Sequence, residues 1–303
     1  MSSPFDRYRP LIDDWQAFTE ASAAPLPTCV WTNTLRARPE QVAEWLDRSD
    51  LPAQPLHWYA GAFRLPSDCN PGNRLPYLAG LYHVQEEVSL LSVAVLRPHA
   101  GERVLDLCAA PGNKTAQAAV ALNNRSTVVA NDRSGGRMNV VRRTLHRLGI
   151  CNVTTTVQDA AHFPIEDPGY GAIIVDVPCS CEGTSRKHWK AAAQSSVEQS
   201  DRMSVMQTSI LRRACRLVRP GGRIVYSTCT YSPEENERVV DAVLREQPDL
   251  IMLDAAVPGL RSTRAITSWR GESYDPVIQR AIRVLPHQND TGGFFVALLT
   301  RPG

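Results

Sequence analysis

Tyr170-Gly-Ala-Ile-Ile-Val-Asp-Val-Pro-Cys-Ser-Cys-Glu-Gly-Thr184 is the stretch whose reading decides the fold. Within it, Ala172 to Asp176 is almost wholly apolar and rich in β-branched side chains, the pattern of a strand buried on both faces. Pro178 fixes the backbone and removes an amide donor, so ladder pairing is expected to stop there. Open parallel sheets bind ligands beyond the carboxyl ends of their strands, which puts Asp176 and Cys179 at the rim of a cleft. A second run, Gly222-Arg-Ile-Val-Tyr-Ser-Thr-Cys229, has the same character and also ends in a cysteine. Two thiols and a carboxylate at neighbouring strand ends point to covalent chemistry.

Upstream, a short strand at Arg103 to Leu107 runs into Cys108-Ala-Ala-Pro-Gly-Asn-Lys-Thr115 and then an alanine-rich helix. Small residues between a strand and a helix start let a ligand approach the backbone. The stretch is not a P-loop, since Cys108 and Asn113 stand where glycines would be needed, and it is not GxGxxG. The next strand, Ser126 to Asp132, ends in an acid about 20 residues further on, where nucleotide-binding α/β folds hold ribose hydroxyls. A helix over Ser134 to Leu148 and a strand over Val153 to Val157 lead to Asp159. Each acid alone reads as a cap or turn residue. Asp106, Asp132, Asp159 and Asp176 at successive strand ends read together as facing one ligand.

Downstream, a helix over Val197 to Leu217 stops at Pro220-Gly-Gly222, and Ser232, Pro233 and Glu235 carry a helix-start signature. Gly293 to Thr300 reads as a last buried strand. The alternation predicts a doubly wound α/β domain over residues 76–303. Residues 1–75 are expected to form a separate unit with a helix over Pro39 to Asp50, and Trp58, Tyr59 and Phe63 are assigned to packing rather than base stacking. Turn formers between Leu65 and Gly80 mark a linker, and a helix is expected from Leu81 through Val95.

Composition narrows the function classes. With 303 residues, 43% of them hydrophobic, the chain can bury a sizeable core. No apolar run approaches the roughly 20 residues a bilayer span needs, and the first ten residues lack a signal peptide's apolar core. A cytoplasmic, monomeric protein with no membrane partner is expected. The eight cysteines are scattered, which suits reduced thiols, and Cys179-x-Cys181 lacks a matching second pair, so no metal is expected. The net charge of +2 does not announce a nucleic-acid binder, but basic residues cluster. Arg186, Lys187 and Lys190 follow the Cys179 loop beside the cleft and are expected to touch phosphates. The group Arg212, Arg213, Arg216 and Arg219 reads as a solvated helix face.

Three motifs carry a family resemblance: Leu105 to Thr115, Asp176-Val-Pro-Cys-Ser180 with Glu182-Gly-Thr184, and Ser227 to Glu237. With Leu285-Pro-His287 and Thr291 to Ala297, they make the chain resemble the NOL1/NOP2/Sun-type RNA cytosine-5 methyltransferases, which include the bacterial rRNA enzymes RsmB and RsmF. The resemblance implies a Rossmann-like class I fold using S-adenosylmethionine, preceded by a small RRM-like α/β module, and rRNA or tRNA as substrate. It puts the cofactor against Cys108, Ala109, Ala110, Pro111, Gly112, Asn113, Lys114 and Thr115, with Asp132 at the ribose, Asp159 near the adenine, and Arg137 and Asp176 also lining the site. Asn113 departs from the family's usual glycine or serine. The resemblance makes Cys229 the nucleophile that adds to cytosine C6 and gives Cys179 a part in releasing product, while Asp176 holds the pyrimidine at N3. Two other classes stand beside this reading. A DNA cytosine-5 methyltransferase would use Cys179 as nucleophile and carry a target-recognition domain. A catalytically silent RNA-binding or assembly protein would have lost the thiols.

Overall fold

A computed structural model describes residues 4–189 and 193–303. The chain starts with helix α1 (Trp15–Ala23), then β1 (Thr28–Thr32), α2 (Pro39–Arg48), β2 (Gln54–Pro55), β3 (Ala62–Leu65), the short α3 (Leu75–Leu78) and β4 (Tyr82–Val84). The four strands form an antiparallel sheet in the order β2-β3-β1-β4. On α2, Val42 and Leu46 lie one helical turn apart and bury against Val30, Phe63, Leu65 and Tyr82 of that sheet.

The helix expected from Leu81 starts later than its apolar spacing suggests. Tyr82 to Val84 pair with β1, Val84 opposite Val30, and Tyr82 is fully buried. Glu86 then caps a 3-10 turn by accepting from the Ser89 amide at 3.0 Å, and α4 (Leu91–Leu96) follows. The antiparallel sheet thus takes in residues beyond 75. The segment ahead of it packs elsewhere: Phe5, Tyr8 and Phe18 ring Tyr231 at centroid distances of 5.5, 5.9 and 5.4 Å.

The second sheet is built from β5 (Val104–Asp106), β6 (Val128–Asn131), β7 (Val153–Thr156), β8 (Tyr170–Asp176), β9 (Val218–Thr228), β10 (Ile251–Leu253) and β11 (Thr263–Arg264). After a two-stranded ribbon, β12 (Ser268–Trp269) with β13 (Glu272–Ser273), it is completed by β14 (Ile282–Val284) and β15 (Phe294–Thr300). The order is β11-β14-β15-β9-β8-β5-β6-β7, with β10 also beside β15. Strands β5 to β9 are parallel neighbours, and β15 runs antiparallel to β9.

The helices of this part are α5 (Asn113–Ala121), α6 (Gly135–Leu148), α7 (Val197–Leu217), α8 (Glu237–Glu246) and the short α9 (Pro286–Asn289). Side chains alternate across β8, so Ile173 and Val175 meet Leu211, Ala214, Val239 and Val243 of α7 and α8. Ala172 and Ile174 face the other way, toward Leu91, Ala116, Ala119, Met138 and Val141 of α4, α5 and α6. A strand covered on both faces has no polar side, which is why its sequence reads as one apolar run.

The helix start expected at Ser232 is displaced. Residues 233–236 form a turn and α8 begins at Glu237. Glu235 does not complete a capping box, because its carboxylate is taken by the loop that carries Cys179. Among the described residues no helix is long and apolar enough to cross a membrane.

Candidate active site

Strands β8 and β9 run in register, with Asp176 opposite Ser227. The residues just past each strand end are therefore brought side by side. Cys179, beyond the Pro178 break, places its Sγ 3.4 Å from Cys229 Sγ. Cys181, which no sequence argument had joined to Cys229, lies 3.9 Å from Cys179, and the three sulfurs all fall within 4.8 Å of one another. The loop holding two of them is braced from below. The Ser180 amide donates to Glu235 at 3.0 Å, Gln207 of α7 donates to Glu235 and to the Pro178 carbonyl at 2.8 Å each, and Ser200 donates to Glu235 at 3.0 Å. The Gly183 amide donates to the Cys229 carbonyl at 2.9 Å and ties the loop to the end of β9.

Beside the thiols sits a charge pair. Lys114 Nζ is 2.7 Å from Asp176 and donates to Ser89 Oγ at 2.9 Å. Ser92 donates to Ser227 at 2.9 Å, and Ser227 donates to Asp176 at 2.7 Å, so the carboxylate is held from two sides. Burial works against the Lys114 ammonium, but Asp176 outweighs it and the amine titrates above its usual range. The thiol of Cys179 is pushed up by its hydrogen bonds to Cys181 and Cys229 and by burial. For Cys229, the hydrogen bond with Cys179 favours the thiolate, yet Cys181, burial and Asp176 together push this thiol up as well. Hydrogen bonds from Cys179 and Cys229 make Cys181 the thiol that carries charge most easily.

The loop of residues 108–115 lies at the end of β5. Gly112 caps α5 in the left-handed region at φ +106°, and a Cβ there would meet Val141 Cα at 3.2 Å, so glycine suits both the backbone and the packing. Cys108, Asp132, Arg137 and Asp159 line one cleft with Leu107, Ala160, Pro178, Met206 and Ile210. Met206 and Ile210 lie one turn apart on α7 and went unnoticed in the sequence, because apolar residues at that spacing read as core. Asp132 accepts from the Ala110 amide at 3.3 Å and the Ser134 amide at 2.9 Å, and Arg137 approaches it at 3.1 Å. Arg137 is half exposed and also donates to the Ala110 carbonyl. Asp159 is exposed and accepts from Ala161 and His162, which lowers its pKa.

Other residues of the loop face inward. Thr115 is fully buried and donates to Asp106 at 2.6 Å, and burial pushes the Asp106 carboxyl up to about 7. Ala109 and Ala110 are buried, whereas Pro111 is exposed. Asn113 accepts from His83 of β4 at 2.9 Å. Arg147, which can only donate, lies 2.6 Å from the other ring nitrogen, so His83 Nδ1 accepts and Nε2 carries the hydrogen. Burial lowers the His83 pKa to about 4, keeping the ring neutral.

Arg186, expected to touch phosphates, is engaged within the protein. Its side chain is 1% exposed and donates to the carbonyls of Ala24, Pro25 and Thr291 and to Asp290, at 3.1, 2.6, 3.0 and 2.7 Å. The guanidinium is spent on tying three segments together. Lys187 is exposed, and Lys190 lies outside the described residues.

Comparisons across known proteins identify the family. The model of the 16S rRNA methyltransferase RsmB/F family matches residues 93–300. The chain is 33% identical over 299 residues to the tRNA (cytosine(49)-C(5))-methyltransferase of Pyrococcus abyssi, covering 98% of this chain and 95% of that one. It is also 33% identical to the ribosomal RNA small subunit methyltransferase F of Erwinia tasmaniensis, covering 96% of this chain and 61% of that protein's length. A crystal structure of a methyltransferase homolog from Pyrococcus horikoshii superposes with a TM-score of 0.82 at 28% identity, over 93% of this chain and 89% of that one. The chain belongs to the RsmB/F family of methyltransferases and has its Rossmann-like class I fold.

Proposed function

We propose that this protein methylates C5 of a cytosine in RNA, using S-adenosylmethionine and a covalent bond between Cys229 and the base. The single observation that carries the proposal is the meeting of Cys179 and Cys229 at 3.4 Å beside the Asp176–Lys114 pair. Relatives bearing tRNA and rRNA cytosine-C5 names support it, and none of the site's features favours the DNA enzyme's assignment or a silent protein.

The cleft residues fit a nucleoside cofactor. Asp132 has acceptor capacity left for ribose hydroxyls once the exposed Arg137 swings aside, and Ala160, Met206 and Ile210 offer apolar walls to a flat base. The cofactor, when bound, supplies an electrophilic methyl group. The protein's own residues do the rest. Cytosine C5 is a poor nucleophile until Cys229 gives up its proton to solvent and its sulfur forms a bond to C6, shifting an electron pair onto C5. Asp176, kept in place by Lys114 and Ser227, holds N3 in its protonated state as that charge develops. After C5 has taken the methyl group its remaining proton must leave. Cys179 assists by relaying that proton to solvent, the pair from the C5–H bond re-forms the ring double bond, and Cys229 is expelled as thiolate. The N-terminal antiparallel sheet, as an RRM-like module, guides RNA toward the cleft, and exposed Lys187 contributes a phosphate contact; the bond between His83 and Asn113 supports a tie between that sheet and the cofactor loop.

Incubation with methyl-tritiated S-adenosylmethionine and either total RNA or DNA tests the proposal. Label recovered as 5-methylcytidine from RNA alone is the expected result. Label in DNA, or at another base, contradicts it.

A further inference from the structure

The third thiol has no task in the chemistry above. Cys181 sits in the left-handed region at φ 60°, a conformation that disfavours any residue with a Cβ, and its sulfur is packed beside the other two. Zinc bound by thiolates has Zn–S distances of about 2.3 Å, so sulfurs sharing one tetrahedral ion lie roughly 3.8 Å apart. Two of the separations bracket that edge, 3.4 Å from Cys179 to Cys229 and 3.9 Å from Cys179 to Cys181, and the third lies within 4.8 Å, so a small approach of Cys181 and Cys229 completes the set. The third ligand was hidden in the sequence because it comes from the end of the neighbouring strand and not from a second CxxC.

We propose that Cys179, Cys181 and Cys229 form a binding site for a thiophilic divalent cation such as zinc, and that its occupancy blocks methyl transfer. Each thiol gives up its proton to the solvent as its sulfur bonds to the ion. The resulting negative charge is partly offset by the ion itself. Water completes the tetrahedron, as it does at other sites with three protein ligands. A Cys229 sulfur bonded to the ion has no free pair for cytosine C6, so metal and RNA substrate exclude each other. This inhibitory half rests on the functional reading given above; the binding half does not. Cys181 then separates the two, because the ion bonds to its sulfur and the transfer forms no bond to it.

The test uses the reduced, metal-free protein titrated with cadmium, read by thiolate-to-cadmium ultraviolet absorption, with zinc as competitor. One equivalent is expected to saturate the wild type. Cys181→Gly relaxes the backbone as it removes the ligand, and Cys181→Ser keeps the side chain's size. Both should bind about tenfold or more weakly, since even residues behind a ligand cost that much. Zinc should stop methyl transfer by the wild type and a chelator restore it, while each variant, referenced to its own metal-free rate, should need correspondingly more zinc to lose its activity. Absent charge-transfer absorption at one equivalent, or unchanged affinity in both variants, overturns the site. Zinc inhibition equally strong in the variants overturns the blocking role. Cadmium absorption in a protein that transfers no methyl group at all would uphold the site and count against the functional reading instead.

Discussion

Asp106 sits fully enclosed behind the cofactor loop, with one oxygen bonded to Thr115 and the other without a partner. Burial raises its carboxyl from 3.8 to about 7. In the folded protein it keeps a proton that the unfolded chain releases near 4, so stability falls as pH rises from about 4 to about 7. Asp106→Asn removes this dependence. Its melting temperature should gain on the wild type steadily between about pH 4 and pH 7 and level off above that, whatever fixed offset the amide introduces, and a constant difference across that range would show that Asp106 ionises freely. Asp132 stands at the opposite, cleft-lining side of the loop. A carboxylate bonding ribose hydroxyls contributes about 1.5–3 kcal/mol. Asp132→Asn, which keeps one acceptor oxygen and so can still accept from only one of the Ala110 and Ser134 amides, should weaken S-adenosylmethionine by roughly tenfold or more in calorimetry, with circular dichroism to establish that the variant is folded; unchanged affinity would place the cofactor elsewhere. At this scale the two thiols and Asp176 were legible because chemistry at a strand end leaves a sharp break in an apolar run. Arg186 was not, because a basic cluster reads the same whether its charges meet phosphates or backbone carbonyls.

The loop following β8 shows how elements share a residue. Glu235 has the sequence position of a helix-capping acid, yet the Ser180 amide, Gln207 and Ser200 all bond to it, and α8 starts later as a result. Capping signals are local, whereas this demand comes from α7 and from a loop far along the chain. Tyr82 to Val84 make the same point: their spacing suits a helix, but a vacant edge on β1 draws them into a sheet. Arg186 acts at this scale too, pinning the chain after α1 and the turn before β15. Arg186→Ala removes the links to the exposed Ala24 and Pro25 carbonyls and to the buried Thr291, and should cost about 1–2 kcal/mol. Chemical denaturation reads the loss, while the salt dependence of RNA binding should stay as it was. Lys187→Ala should do the reverse, leaving stability intact and lowering the slope of log affinity against log salt by roughly 0.7. A reduced slope with Arg186→Ala and intact stability would return that residue to the RNA interface.

For the whole molecule, the informative fact is that Cys179 and Cys229, 50 residues apart, meet only because β8 and β9 are parallel neighbours in register. The strand and helix alternation made the central sheet readable, since both faces of its strands are covered and their sequences are continuously apolar. The N-terminal antiparallel sheet was obscure because its strands are short, two to five residues each, and part of its core comes from a single helix. The fold thus sets two thiols side by side, and the proposed mechanism gives them unequal tasks: Cys229 forms the bond to C6, and Cys179 helps to break it. Incubating each variant with RNA and S-adenosylmethionine and resolving the products on a denaturing gel tests this most directly, with circular dichroism to establish that each variant is folded. Cys179→Ala should accumulate a slow-migrating protein–RNA band, while Cys229→Ala and the double variant should give none. A band from Cys229→Ala and none from Cys179→Ala would reverse the assignment and contradict the account.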